Sequence, residues 1–316
     1  MQIQSNDEPN RLTTIRHPFQ AKDREPMAHL REAAAPAKGH LGPEIREVFD
    51  QMMEITPDAP GVIYEETLVG KIPGWWCRPV EALEGAAILY LHGGAYVVGS
   101  ARADRHLAGQ LAMRAKVAAF VAEYRLAPEY PFPAAVEDAV AAYRSLADQG
   151  FTAISLSGDS AGGGLALATL ALMVDEARMG VVPRPRGVAV MSPWTDLALS
   201  GETLETLAEA DPLLTKESLA RAASMYLGNH DSSDPRASPL YGDLAGLPPI
   251  RLHVGEDEVL LDDSRRYAQR VVAAGGVAEL HIWEGMTHVF PSSVGTFAAS
   301  DMALENLGAF LNQSLR

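Results

Sequence analysis

Short, almost uninterrupted apolar runs separated by stretches of helical length constrain this chain more than any other feature. The runs are AAILYLH (86–92), VAAFVAEY (117–124), ISLSG (154–158), GVAVMS (187–192) and IRLHVG (250–255). A strand with one wet face alternates polar and apolar residues, whereas runs this continuous read as strands covered on both faces. Between them, residues 102–116, 134–147, 161–177 and 263–274 have the length and composition of helices. Strand and helix in alternation imply right-handed crossovers and a mostly parallel sheet with helices on both sides. Ahead of this pattern, 62–69 and 72–79 meet at Gly70 and predict a hairpin at an antiparallel edge. A last strand is expected over 278–283 and a closing helix over 299–315, with Met302, Leu304, Leu307, Phe310 and Leu311 along one side. The total is an α/β fold with a central sheet of about eight strands.

Two stretches stand outside the rhythm. Residues 1–50 are polar, with prolines at 9, 18, 26, 36 and 43 and a short helical pattern around Ile45, Val48, Phe49 and Met52, and predict an N-terminal arm rather than a core element. Residues 197–235 lie between two strands, are too long for an ordinary connection, and carry a helix over 216–227 with Thr215 as its cap. Arm and insertion together are expected to form a helical cap. Residues 51–196 and 236–316 then form one domain, although 316 residues would also accommodate two small ones.

The charge balance narrows the partners. With 41 Asp and Glu against 26 Lys and Arg, the formal net charge of -15 repels phosphate backbones and anionic lipid, so neither nucleic acid nor a membrane surface is expected. A single cysteine, Cys77, leaves no intrachain disulfide framework and no multi-cysteine metal cluster. The longest apolar run, LALATLALMV at 165–174, is too short to span a bilayer, and MQIQSNDEPNRLTTIRHPFQ lacks the apolar stretch of a secretion leader. The expected location is the cytoplasm.

The chemistry gathers at strand ends. Gly158-Asp159-Ser160-Ala161-Gly162 is a G-x-S-x-G pattern that follows the run ISLS and opens a helix. A sharp strand-to-helix turn there pushes Ser160 out at the carboxyl edge of the sheet, next to unpaired helix N–H groups, which suits a nucleophile. His92-Gly93-Gly94-Ala95-Tyr96 closes the run AAILYL, where backbone N–H groups can meet a developing oxyanion. No dinucleotide or phosphate-loop pattern competes there. A serine nucleophile needs a base and an orienting acid. Of the four histidines after Ser160, His253 and His281 fall inside strands and His230 in the insertion, while His288 follows the last strand in the loop GMTHVFP. His288 is therefore the expected base. Asp257, just past IRLHVGE, is the expected acid; Glu256 and Glu258 are its chemical rivals, and Asp262 and Asp263 suit the cap of the next helix. The order serine, acid, histidine is that of the α/β-hydrolase layout. No H-E-x-x-H pattern occurs and the nine histidines are scattered, so no catalytic metal is expected. Trp75, Trp76, Trp194 and Trp283 are assigned mainly to packing.

The segments LYLHGGAYVVGS, EYRLAPEYPFPAAVEDA, GDSAGG, SPWTDL, VGEDEVLLDD and GMTHVF together resemble the hormone-sensitive-lipase-like branch of the α/β-hydrolases, the bacterial family IV esterases, over roughly residues 86–311. The resemblance implies an α/β-hydrolase fold with a helical cap. It implies Ser160 as nucleophile, Asp257 as acid, His288 as base and an oxyanion hole of backbone N–H groups at Gly94, Ala95 and Ala161, with His92 and Gly93 supporting that loop. Arg125, Pro128 and Glu129 are implied as structural braces. The implied activity is serine carboxylesterase on small, uncharged short- to medium-chain esters, without a cofactor, in a monomer or homodimer. One departure stands out: Ala95 occupies the third glycine of the family's usual HGGG. A backbone donor survives that exchange if the local φ is one an L-residue can adopt. Some relatives with the variant resemble monoterpene ε-lactone hydrolases, which makes lactone hydrolysis the alternative activity. An inactive hydrolase-fold binding protein would require a broken triad.

Overall fold

The computed structural model describes residues 2–3 and 12–316; residues 1 and 4–11 of the expected arm lie outside them. Ten strands form one sheet: β1 (Gln2–Ile3), β2 (Thr13–His17), β3 (Val62–Val69), β4 (Ile72–Pro79), β5 (Ala86–Leu91), β6 (Ala118–Ala122), β7 (Ala153–Asp159), β8 (Val188–Met191), β9 (Ile250–Gly255) and β10 (Ala278–Trp283). Their spatial order is β1-β2-β10-β9-β8-β7-β5-β6-β4-β3. The pairs from β2 through β6 are parallel, and β3 and β4 form the expected antiparallel hairpin. The eight strands β3 to β10 match the expected sheet.

The arm adds the rest. Where the sequence reading kept residues 1–50 out of the core, Thr13–His17 pairs in parallel with β10, Ile15 opposite His281 and His17 opposite Trp283. TTIRH has no continuous apolar run and its residues are only partly buried, so nothing in its pattern marks it as a strand without β10 beside it.

The helices are α1 (Arg24–Ala34), α2 (Arg46–Met53), α3 (Ala101–Ala115), α4 (Ala134–Asp148), α5 (Ser160–Arg178), α6 (Thr203–Thr206), α7 (Lys216–Leu227), α8 (Leu261–Ala273) and α9 (Ala298–Leu315). Helices α4, α5 and α8 share one core with β5 to β10, while α3 and α9 cover the opposite face. Every residue of β5, β6 and β8 is buried, as strands covered on both sides must be. Met302 departs from the reading of α9: it is exposed, and the buried side runs through Ala303, Leu304, Leu307, Leu311 and Leu315.

Arm and insertion are bonded to one another. Helix α7 starts with a capping box in which Thr215 and Ser218 each accept the other's backbone N–H. Its Tyr226 ring stacks on Tyr96 at 3.8 Å between centroids, a buried pair of about 1 kcal/mol beyond its burial. From the arm, Lys38 Nζ donates to Ala208 O at 2.7 Å and Gly39 N to Leu213 O at 2.9 Å. Asp23 accepts from Ala298 N and Ala299 N at 2.7 and 3.0 Å, satisfying the first free N–H groups of α9. Arg46 donates to Val97 O and Ala127 O, both at 2.8 Å, and pairs with Glu129.

Candidate active site

Every functional candidate stands at the carboxyl end of a strand. Strand β7 ends at Asp159 and α5 begins at Ser160 with no residue between, and the turn holds Ser160 at φ 50°. That left-handed conformation costs roughly 1–2 kcal/mol for an L-residue and is stabilised here by its surroundings. The flanking glycines allow the close approach: a Cβ on Gly158 would lie 2.4 Å from Leu91 O, and one on Gly162 would lie 2.1 Å from the same oxygen.

His288 brings the site together. Its Nε2 lies 2.9 Å from Ser160 Oγ and its Nδ1 lies 2.7 Å from Glu258 Oε2. The expectation for the acid is thereby corrected from Asp257 to its neighbour. Asp257 turns its Oδ2 outward to Arg31 Nη2 at 2.6 Å, and both side chains are about a third exposed. Glu258 is fully buried, and its other oxygen accepts from Gly255 N at 2.6 Å and Ser192 Oγ at 2.8 Å. Ser192, at the end of β8, in turn accepts Val289 N at 3.0 Å, so one hydroxyl links the carboxylate to the histidine loop. Glu258 heads the buried run Val259-Leu260-Leu261, whereas Asp257 follows the half-exposed Glu256; the turn carries the former inward. That apolar run was the available sequence signal.

Burial lowers the proton affinity of the His288 imidazole, but the Glu258 hydrogen bond and the charges of Glu258, Asp211 and Asp159 outweigh it, leaving the pKa above its ordinary 6.5. The other histidines stand elsewhere. His253 and His281 stack at 4.3 Å within the sheet, beside His17 and Trp283, and His230 packs edge-on to Phe132.

The glycine loop after β5 is built around Asp159. Its Oδ1 accepts Gly93 N at 3.1 Å and Tyr90 Oη at 2.8 Å; burial, opposed by these bonds, pushes its carboxyl up to about 6. Gly93 N–H is thus committed, while Gly94 and Ala95 N–H donate to no partner among the described residues. Gly94 sits at φ 109°, which only glycine adopts readily, and a Cβ there would lie 2.1 Å from Val98 O. Ala95, at φ 51°, is in the left-handed region open to an alanine at modest strain, so the third-glycine exchange keeps its N–H. His92 is buried, its pKa lowered to about 4 by that burial against a bond to Gly93 O, and its carbonyl accepts Tyr124 Oη at 2.7 Å. Cys77 is buried on β4, and burial raises its thiol pKa. Trp76, Trp194 and Trp283 are buried packing residues. Among the described residues no group of three metal-ligating side chains converges.

A serine held on a strained turn and bridged by histidine to a buried carboxylate, at the carboxyl edge of this sheet, defines a serine hydrolase of the α/β class. The family model described as alpha/beta hydrolase fold matches residues 88–292, and the chain belongs to that family. Its relatives include an acetyl-hydrolase of Streptomyces hygroscopicus, 42% identical over 77% of this chain and 80% of the relative. An esterase of Acinetobacter venetianus is 33% identical over 87% and 90%. Among solved structures, an esterase from the bacterial hormone-sensitive lipase family superposes with a TM-score of 0.86 at 36% identity, covering 94% of this chain and 99% of that one. EstE5, soaked with p-nitrophenyl butyrate, gives 0.85 at 38% identity with the same coverage. The chain is a carboxylic ester hydrolase of this hormone-sensitive-lipase-like branch, and these relatives favour ester over lactone hydrolysis. No helix among the described residues is long and apolar enough to cross a membrane.

Proposed function

We propose that this esterase hydrolyses short-chain carboxylic esters, acetyl to butyryl, through an acyl-enzyme on Ser160, with His288 as base and Glu258 as acid. The observation that carries this reading is the single imidazole within hydrogen-bond reach of both Ser160 Oγ and Glu258 Oε2. With Nδ1–H donating to Glu258, Nε2 is free to take the Ser160 proton as Oγ attacks the ester carbonyl. The carbonyl oxygen becomes an alkoxide, which in this reading the N–H groups of Gly94, Ala95 and Ala161 receive. Collapse breaks the ester C–O bond, and the Nε2 proton leaves with the alcohol. Water, losing its proton to the same nitrogen, attacks the acyl-enzyme; the second collapse restores Ser160 and releases the acid. Glu258 holds the tautomer and offsets the transient imidazolium charge.

The arm and residues 197–235 act as a cap over the cleft in this reading, supported by the Lys38, Gly39 and Arg31 bonds between them. The short acyl preference rests on the acetyl-hydrolase relative and on the butyrate ester soaked into EstE5. The substrate in this reading is small and uncharged and the protein monomeric or homodimeric; the buried lone cysteine supports a cytoplasmic setting. Ser160→Ala should abolish turnover of p-nitrophenyl esters at an unchanged circular dichroism spectrum and Tm. Retained turnover in that variant refutes the nucleophile assignment, and a rate rising from butyrate to long acyl chains refutes the acyl preference.

A further inference from the structure

The loop that carries Glu258 is gripped by groups foreign to the sheet. Asp211, from the inserted segment, is fully buried and accepts Val259 N, the amide next to Glu258, on Oδ2 at 2.9 Å. Its other oxygen accepts Leu213 N at 2.8 Å and Leu214 N at 3.0 Å. The carbonyl of the same Val259 accepts Thr203 Oγ1 at 2.7 Å, again from the insertion. Arg31 of α1 then donates to Ala210 O and to Asp257 Oδ2, both at 2.6 Å. Three consecutive residues, 257, 258 and 259, are thus tied in turn to the arm, the histidine and the insertion.

We propose that Asp211 is a positioning residue of the esterase reaction, which fixes the Glu258 loop through Val259 N and brings a second carboxylate to that loop. The inference rests on the Ser160, His288, Glu258 reading above. The charged groups bearing on His288 are Glu258 from the loop after β9, Asp211 from the insertion and Asp159 from the turn before Ser160. The three reach it from different segments, and Asp211 alone is contributed by the insertion. A carboxylate at 211 also suits three converging N–H donors, which a neutral amide with its own N–H groups cannot all satisfy.

The test compares kcat/KM against pH for the wild type, Asp211→Asn and Thr203→Val, using p-nitrophenyl butyrate. Asp211→Asn should lose about tenfold or more in kcat through misplacement of the acid loop. Its acid limb should also move to lower pH, because the imidazolium has lost a stabilising charge. Thr203→Val removes a grip on the same residue, Val259, but no charge, so its rate should fall with the limb in place. Asp211→Glu should return the limb toward the wild-type position. If Asp211→Asn does not fold, Asp211→Ser, short and neutral, serves the same comparison. An acid limb that stays put in the neutral variant, or one that moves equally in Thr203→Val, overturns the proposal. Turnover retained in Ser160→Ala would instead overturn the reading beneath it.

Discussion

Replacing Glu258 by Gln is the most informative single change in this site, because every group around that carboxylate is a donor. Oε1 takes Gly255 N–H and the Ser192 hydroxyl, and Oε2 takes the histidine Nδ1 proton. A glutamine must turn its NH2 toward one side. With its oxygen kept on the Gly255 and Ser192 side, the NH2 faces Nδ1 and forces that nitrogen to accept. The proton then resides on Nε2, which can no longer take the one on Ser160. In serine hydrolase triads, this wrong-tautomer exchange lowers kcat about 10⁴-fold, or about 5.4 kcal/mol at 1.36 kcal/mol per decade. Asp257→Asn breaks only an ion pair with Arg31 whose side chains are 33% and 30% exposed, worth about 0–1 kcal/mol. Steady-state turnover of p-nitrophenyl butyrate at pH 8 should therefore fall by three to four decades in the first variant, roughly, and by less than about fivefold in the second. Reversed magnitudes would return the acid role to Asp257. Comparable small losses in both would show that His288 keeps its working tautomer without a carboxylate partner.

Two further outcomes follow from the same geometry. Burial lowers the His288 pKa but the Glu258 bond and the surrounding carboxylates raise it further, so the imidazole is protonated, and activity lost, as pH falls through a midpoint above 6.5. A pH–kcat/KM profile whose acid limb lies below 6.5 contradicts that balance. Gly94→Ala places a methyl 2.1 Å from Val98 O at a φ of 109°, so the loop must move and one oxyanion donor is lost. The expected drop in kcat is about 10²–10³-fold, with stopped-flow acylation as the readout; a near-normal acylation rate would remove Gly94 N–H from the oxyanion hole.

Where the sequence was legible, the physical reason is visible. Residues 250–255 and 278–283 coincide with β9 and β10 because each carries apolar residues at every second position or closer and is bounded by turn residues, Pro249 before the one and Gly275, Gly276 and Gly285 around the other. Thr215 caps α7 as its residue type and the following helical pattern imply. Ser160 and His288 could be assigned because each is the one residue of its chemistry suitably placed at its strand end. The acid could not be settled that way. Asp257 and Glu258 are adjacent, equally acidic and on one loop, and what separates them is a side-chain direction set by Ser192, Gly255 and Asp211, which are distant in sequence or bonded through backbone. Strand β2 was hidden for a related reason: its only apolar residue is Ile15, and β10, which pairs with it, lies more than 260 positions later.

That pairing has a bearing on how the polypeptide is made. Residues early in this sequence find their partners far along it: Thr13–His17 waits for β10, Asp23 for the start of α9, and Arg31 for Asp257. Closing loops of this length is entropically slow, and until then Thr13–His17 lacks its parallel partner. Ser160 emerges with its own strand and helix but meets its histidine only after residue 288 has cleared the exit tunnel. The enzyme is thereby silent until that residue has emerged, and β2 is among the last strands to be put in place.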